Sequence, residues 1–318
     1  MKRSCLAFLL VLGVAGCVGL GPQRARAAGT RAPNWPLAVQ AWTFNNLTFY
    51  EAVERTAALG VKYIEAYPGQ QIGGGIAGAL NPDLDAATRR KVLDKLKASG
   101  VKLVNYGVAN AGDEAGWRRL FDFAKAMGIK TIVAEPGAAQ LDMIDRLCTQ
   151  YAINMAIHNH PKDSPYWNPD SVLAAVKERS RRLGACADTG HWLRSGLDPV
   201  ACLKKLEGRI ICLHFKDLSW RADNAYDVPW GTGVSQVPVM LAELKRQKFT
   251  GVFAVEYEHN TPELMSNVAR CIAYFKVCAS LSARDLLLQR ALVPGMSWAP
   301  TDTWMKMKPT DDGKWAPK

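Results

Sequence analysis

The chain has 318 residues, 48% of them hydrophobic and 22% charged. That balance excludes a disordered or fibrous protein and is enough for a large core without cross-links. The formal charge is +11, but basic residues in "TRRKVLDKLK" and "ERSRR" are mixed with acids on helical segments, which reads as solvated faces rather than a nucleic-acid stripe.

The first segment, 1–27, is a leader. Lys2 and Arg3 precede the apolar run "CLAFLLVLGVAGCVGLG", and small-residue "ARA" follows at 25–27. The run is too short and glycine-rich for a span of roughly 20 apolar residues and reads as a secretory signal. Cleavage after Ala27 also removes Arg24 and Arg26. A second processing route fits as well. "VAGC" at 14–17 resembles a bacterial lipobox, and cleavage there leaves Cys17 as a lipid-bearing, membrane-tethered N-terminus. Either route exports the protein, to the periplasm or to a lipid-anchored position in a bacterium.

From 34 to 280 one unit recurs: a short β-rich run, a loop, then an amphipathic helix. The strand candidates are "LAVQAWTF" (37–44), "YIEAYP" (63–68), "KLVNYGV" (102–108), "TIVAEP" (131–136), "MAIHNHP" (155–161), "GACADTGH" (184–191), "IICLHFKD" (210–217) and "VFAVEYEH" (252–259). Three intervening helices stop at Gly60, Gly100 and Gly128, good C-terminal caps. "DPVACLKKLEG" starts on Asp198 and Pro199, an N-cap with a first-turn proline. Eight alternating strand–helix units predict a single (β/α)8 TIM barrel of the α/β class. The glycine-rich "IGGGIAGAL" (72–80) lacks the lysine and the strand–helix context of a phosphate loop. A C-terminal extension, 281–318, opens with one more helix candidate.

The eight cysteines are too sparse for a disulfide framework in a chain of this length. Cys5 leaves with the leader. Cys148, Cys202, Cys271 and Cys278 fall in helical patterns as small hydrophobes. Cys186 and Cys212 lie two residues before Asp188 and His214, on the same strand face. They are core-fillers or, in an oxidising compartment, a disulfide.

Active sites of such barrels lie at the C-terminal ends of the strands. There the sequence places Glu135, then His158 and His160, then Asp188 with His191 just after, then His214 and Lys216, then Glu256 and Glu258 with His259 adjacent. All five histidines sit at strand ends in the second half. Strand side chains alternate faces, so His158 shares a face with His160, His214 with Lys216, and Glu256 with Glu258. Imidazole nitrogens with carboxylate oxygens suit one divalent transition metal, Mn, Zn, Co or Fe. Glu135, His158, Asp188, His214 and Glu256 are the candidate ligands, with Glu135 and His158 competing or joint. His160, Glu256 and Glu258 are the candidate acid/base groups. His191 and Lys216 are candidates for binding substrate oxygens, with a salt bridge from Lys216 to Asp217 or a neighbouring carboxylate as the alternative. Trp42, Trp192 and Trp230 lie just past strand ends, where indole faces pack on sugar rings; packing between loops is the alternative, and holds for Trp167 too.

"CADTGHWLRSG" (186–196), "LHFKD" (213–217) and "FAVEYE" (253–258) resemble the last three barrel motifs of the xylose-isomerase-like TIM-barrel superfamily, the sugar phosphate isomerase/epimerase group. The resemblance implies a metal held by Asp188, His214 and Glu256, with His191 matching a substrate-binding histidine. Where ketose 3-epimerases carry a ligand glutamate on the fifth strand, this chain has His158. Its "HNHP" form resembles a secreted branch, some of whose relatives act on 3-keto-glycosides. The implied activity is metal-dependent proton removal next to a carbonyl of a sugar or oxidised glycoside, through a metal-stabilised enediolate, with isomerisation, epimerisation or elimination to follow. A non-catalytic sugar- or partner-binding barrel is the alternative. An endonuclease IV-like role is disfavoured, because no histidine precedes 158.

Overall fold

The computed structural model describes residues 35–289 together with 307–309 and 315–317. The leader with its Cys17 and most of the C-terminal extension lie outside the described residues.

Eight parallel strands close into a barrel: β1 (Leu37–Gln40), β2 (Tyr63–Ala66), β5 (Lys102–Tyr106), β6 (Thr131–Ala134), β7 (Asn154–His158), β8 (Leu183–Asp188), β9 (Ile210–Phe215) and β10 (Val252–Val255). Closure runs through β1, which pairs with both β2 and β10. The "IGGGIAGAL" stretch supplies an antiparallel hairpin, β3 (Gln71–Gly73) and β4 (Ile76–Ala79), beside the barrel. Met307–Pro309 and Trp315–Pro317 form a second antiparallel pair, β11 and β12.

Helices α1 (Phe49–Ala58), α2 (Ala86–Ala98), α3 (Glu114–Met127), α4 (Leu141–Tyr151), α5 (Pro169–Val176), α6 (Thr189–Arg194), α7 (Pro199–Lys205), α8 (Val237–Arg246), α9 (Leu264–Ser280) and α10 (Ala283–Gln289) surround the sheet or follow it. Their ends follow local chemistry. Thr48 and Glu51 form a reciprocal capping box on α1. Gly60, Gly100 and Gly128 take positive φ just past α1, α2 and α3, the conformation that costs glycine nothing.

The core has two parts. Leu213, Phe215, Phe253, Val255 and Ile157 face outward into the shell under the helices, with Trp192, Trp230 and Phe275. Inside the barrel a small-residue layer, Val133, Ala156, Cys186 and Cys212, fills the lumen. Each of these lies two residues before Glu135, His158, Asp188 and His214 respectively. The alternation that turns the small residues inward therefore also turns the four polar ones toward the mouth.

Cys186 and Cys212 oppose each other in the β8–β9 register as buried free thiols. Cys148, Cys202, Cys271 and Cys278 are likewise buried and free. Burial pushes the Cys148, Cys202 and Cys271 thiols up to about 12. A thiol in the unfolded chain ionises near about 8.5. The native state therefore holds protons that the unfolded chain loses, and this stability, full below that value, is lost as pH rises toward 12. The melting temperature is expected to fall steeply from about pH 9 upward, and the thiols to stay unreactive toward Ellman's reagent at pH 8 until denaturant is added.

Candidate active site

Four buried side chains meet over the lumen layer. His158 ends β7, Asp188 ends β8, His214 lies on β9 and Glu256 follows β10, and one ligand atom from each lies within 4.8 Å of all the others. A single ion with bonds of about 2.0–2.2 Å can bridge such a set. Of the buried atoms here, His158 Nε2 has no hydrogen-bond partner, and His214 Nδ1 meets Glu256 Oε2 at 3.1 Å without an aligned hydrogen bond. Buried polar atoms are seldom left so, and such nitrogens beside the Asp188 and Glu256 carboxylates fit a cation.

A second layer holds the first in place. Glu65, fully buried on β2, reaches across the barrel so that its Oε1 lies 2.8 Å from His214 Nε2. Asn105 Nδ2 donates to Glu65 Oε2 at 2.9 Å, and Gln40 Nε2 donates to the Gly107 carbonyl at 3.0 Å beside it. Burial would lower the His214 pKa, yet the Glu256 and Glu65 carboxylates on its two nitrogens push it well above the ordinary value. Glu65 was not among the residues expected from the sequence. The one signal available was an acid inside an otherwise apolar strand. Replacing Glu65 by Gln is expected to weaken metal binding about 10–100-fold with the fold retained, as read by competition against a chelator.

Glu135 sits on the far side of His158. Its Oε1 lies 3.3 Å from His158 Nδ1 and 2.6 Å from His160 Nδ1, and accepts the His160 backbone N–H at 3.0 Å. Its Oε2 accepts from Ser164 Oγ at 2.8 Å. Burial would raise the Glu135 carboxyl, but His158 and His160 hold it well below the usual range. With Nδ1 of His158 turned to Glu135, Nε2 is left for the four-atom cluster. Glu135 thus orients a candidate ligand histidine, the common arrangement behind metal-bound imidazoles. Glu135, His158 and His160 also form a three-residue group that could itself hold an ion.

Lys216 follows the second of its two expected readings, a salt bridge to neighbouring carboxylates. Its side chain is fully buried, with Nζ 2.8 Å from Asp188 Oδ2, 2.7 Å from Glu256 Oε2 and 3.4 Å from Glu258 Oε1. It is absent from the cavity lining, so its ammonium is spent on carboxylates and not on a substrate oxygen. Burial pushes the Asp188 and Glu256 carboxyls up, but His191 beside Asp188, His214 beside Glu256 and Lys216 between them hold both well below the usual range. Gly190 makes room for the lysine stem: a Cβ there would lie 2.7 Å from Lys216 Cδ.

Above the cluster lies a cavity of about 370 Å³, lined by Gln40, Trp42, Tyr67, His158, His160, His191, Glu256 and Glu258 among others. Trp42 is 43% exposed at its rim and meets Tyr67 edge-on at 5.0 Å. The other two candidate tryptophans are core. Trp192 is fully buried, and Trp230 packs edge-on against Phe215 at 4.9 Å. Both indoles turn under the helices, where their apolar area is removed from water. His191 lies on α6, not on a strand, because Asp188 caps that helix through the His191 N–H at 2.7 Å. Arg194, one turn on, binds Glu258 Oε2 at 2.7 Å and Asp227 Oδ2 at 3.1 Å. Arg194 and Asp227 were likewise unexpected, since their meeting depends on how the β9–α8 loop folds back. His259 stands outside the cluster, against Tyr226.

The model of the xylose isomerase-like TIM barrel family matches residues 53–275. An uncharacterised protein of Parabacteroides distasonis, known by crystal structure, is 35% identical, with 77% of this chain and 99% of that one covered and a TM-score of 0.64. A D-tagatose 3-epimerase-like protein matches at 17% identity over 76% of this chain and 98% of its own, with a TM-score of 0.61. A xylose isomerase-like TIM barrel protein from Mycobacterium smegmatis, in complex with magnesium, matches at 14% identity over 78% and 97%, also at 0.61. No curated protein matches the chain. A match across most of the barrel, and 35% identity to a solved relative over 77% of the chain, show that the chain belongs to the xylose isomerase-like TIM barrel family.

Proposed function

We propose that this protein is a divalent-metal-dependent enzyme that removes a proton from the carbon next to a carbonyl of a sugar or oxidised glycoside. The convergence of His158, Asp188, His214 and Glu256 beneath an open cavity carries this reading. A metal held there would supply Lewis-acid stabilisation of the oxyanion that develops as the proton leaves.

The chain's own residues supply the rest. His160 is half-exposed, its Nδ1 tied to Glu135, so Nε2 is left to take or return a proton. Glu258 is the weaker candidate base, because Arg194 and Lys216 already bind its carboxylate. Trp42 offers a ring face at the cavity rim. Return of the proton at another position gives isomerisation or epimerisation. Loss of a β-substituent, such as the C1 group of a 3-keto-glycoside, gives elimination. Reading 1–27 as an export leader puts the enzyme, on this proposal, where unphosphorylated sugars and glycosides are the available substrates. The epimerase-like and magnesium-bound neighbours support a metal and a sugar.

The test is metal analysis of the purified protein followed by NMR of 3-keto-glucosides and free ketoses in D₂O. Deuterium at the carbon beside the carbonyl is the expected result, and the product separates elimination from epimerisation. Metal-loaded protein that binds these sugars without exchange would make it a non-catalytic sugar-binding barrel.

A further inference from the structure

His191 faces the cavity from α6, and what it can do there depends on which ring nitrogen carries the proton. Arg194 answers that. Its Nη1 lies 3.2 Å from His191 Nδ1. A guanidinium has donors only and never loses its proton in a protein. Nδ1 must therefore be the acceptor, which leaves the single ring proton on Nε2. Nε2 lies 3.6 Å from Asp188 Oδ2, too far for a hydrogen bond, and makes none to any of the described residues. Nε2–H is thus an unspent donor on the cavity wall, beside a carboxylate oxygen of the candidate metal cluster.

Arg194 is itself held hard. Its Nε donates to the Ala225 carbonyl at 3.1 Å, one terminal nitrogen to Asp227 Oδ2 at 3.1 Å, and the other to Glu258 Oε2 at 2.7 Å. Asp227 Oδ2 also accepts the Glu258 backbone N–H at 3.2 Å. One guanidinium, anchored on the β9–α8 loop, thus sets two groups of the cavity wall: the tautomer of His191 and the direction of Glu258.

We propose that Arg194 is a positioning residue that fixes His191 as a singly protonated Nε2–H donor, so that His191 binds an acceptor oxygen of the sugar and does not serve as a base. The sugar oxygen rests on the function proposed above; the tautomer does not. The sugar atom that His191 meets is then an accepting oxygen, of a carbonyl, of the oxyanion it becomes or of a hydroxyl, and Nε2–H has no lone pair with which to take a hydroxyl proton.

The test is long-range ¹H–¹⁵N NMR of the ¹⁵N-histidine protein in its zinc-loaded form, with His191→Gln to assign the ring. The five histidines of the chain make the spectrum tractable. The expected result is one Nε2–H tautomer with Nδ1 unprotonated at neutral pH, and its loss to a mixed or Nδ1–H ring in Arg194→Met. Arg194→Lys keeps a charge between Asp227 and Glu258 and is expected to restore the Nε2–H form in part. A wild-type ring that is Nδ1-protonated or doubly protonated overturns the proposal even if Arg194→Met fails to fold. So does an unchanged tautomer in a folded Arg194→Met. Both readings are independent of turnover, so a protein that exchanges no deuterium would still decide this point.

Discussion

Lys216→Met is expected to yield a protein that is stable only when metal is supplied. The lysine ammonium is completely buried between Asp188, Glu256 and Glu258. Removing one partner of a buried ion pair leaves the other uncompensated, a loss of about 3–5 kcal/mol. Here two carboxylates are left at once, and both are candidate metal ligands. A divalent cation on Asp188 and Glu256 replaces the missing charge at the same oxygens. An ion at a hundred times its Kd adds about 2.7 kcal/mol of stability by mass action, comparable with the loss. Melts in EDTA and in excess Mn²⁺ or Zn²⁺ read this directly. The variant should melt far below the wild type in EDTA and regain most of the difference with metal, while the wild type gains less. Equal destabilisation in both conditions would mean that no cation reaches those carboxylates. The result matters because Lys216 keeps Asp188 and Glu256 ionised and aimed inward whether or not an ion is present, which would spare metal binding the cost of ordering them.

Much of this geometry was legible in the chain. The two-residue period that puts Ala156 under His158, Cys186 under Asp188 and Cys212 under His214 is a property of any strand, so the inward face could be read without coordinates. What was not legible depends on distance and reach. Glu65 meets His214 at a sequence separation of 149, through a barrel closure that pairs β1 with both β2 and β10. Lys216 shares the face of His214 as the alternation requires, and a salt bridge to a neighbouring carboxylate was one of its two readings; that its four-carbon stem reaches both Asp188 and Glu256 at once is what no spacing rule captures. Trp192 lies on α6 just past β8 and Trp230 well inside the β9–α8 loop, yet both side chains pack into the core and neither reaches the cavity as a stacking platform would. Residues 41–44 read as strand and form a 3₁₀ turn instead, because the Gln40 side chain accepts the Trp42 N–H at 2.8 Å and caps it. That turn is also what brings Trp42 to the cavity rim.

The two histidines of "HNHP" can be separated by a pair of variants, Glu135→Gln and His160→Gln. Both oxygens of Glu135 are engaged, Oε1 by His158, His160 and a backbone N–H, Oε2 by Ser164. If Glu135 orients His158 without itself touching the ion, Glu135→Gln keeps the shape and one acceptor but weakens the grip on the ring. Metal affinity should fall about 10–100-fold and stoichiometry should recover at high metal. A direct ligand role predicts the opposite: stoichiometry stays low however much metal is added. His160→Gln tests the other half. It leaves the four-atom cluster intact, so metal content should not change, while deuterium exchange into a ketose should drop about 10²–10⁴-fold, the usual weight of a positioned acid/base group. At saturating metal Glu135→Gln should retain part of that loss, since His160 then lacks the carboxylate that holds its Nδ1 proton and steadies the ring. One carboxylate thus touches two neighbouring imidazoles on the same strand face, on the proposed function one for the metal and one for the proton. On that proposal the division of labour would give a physical reason for two histidines in a place where the 3-epimerase pattern has one ligand glutamate: ligand and acid/base roles would be divided between His158 and His160, with Glu135 behind both.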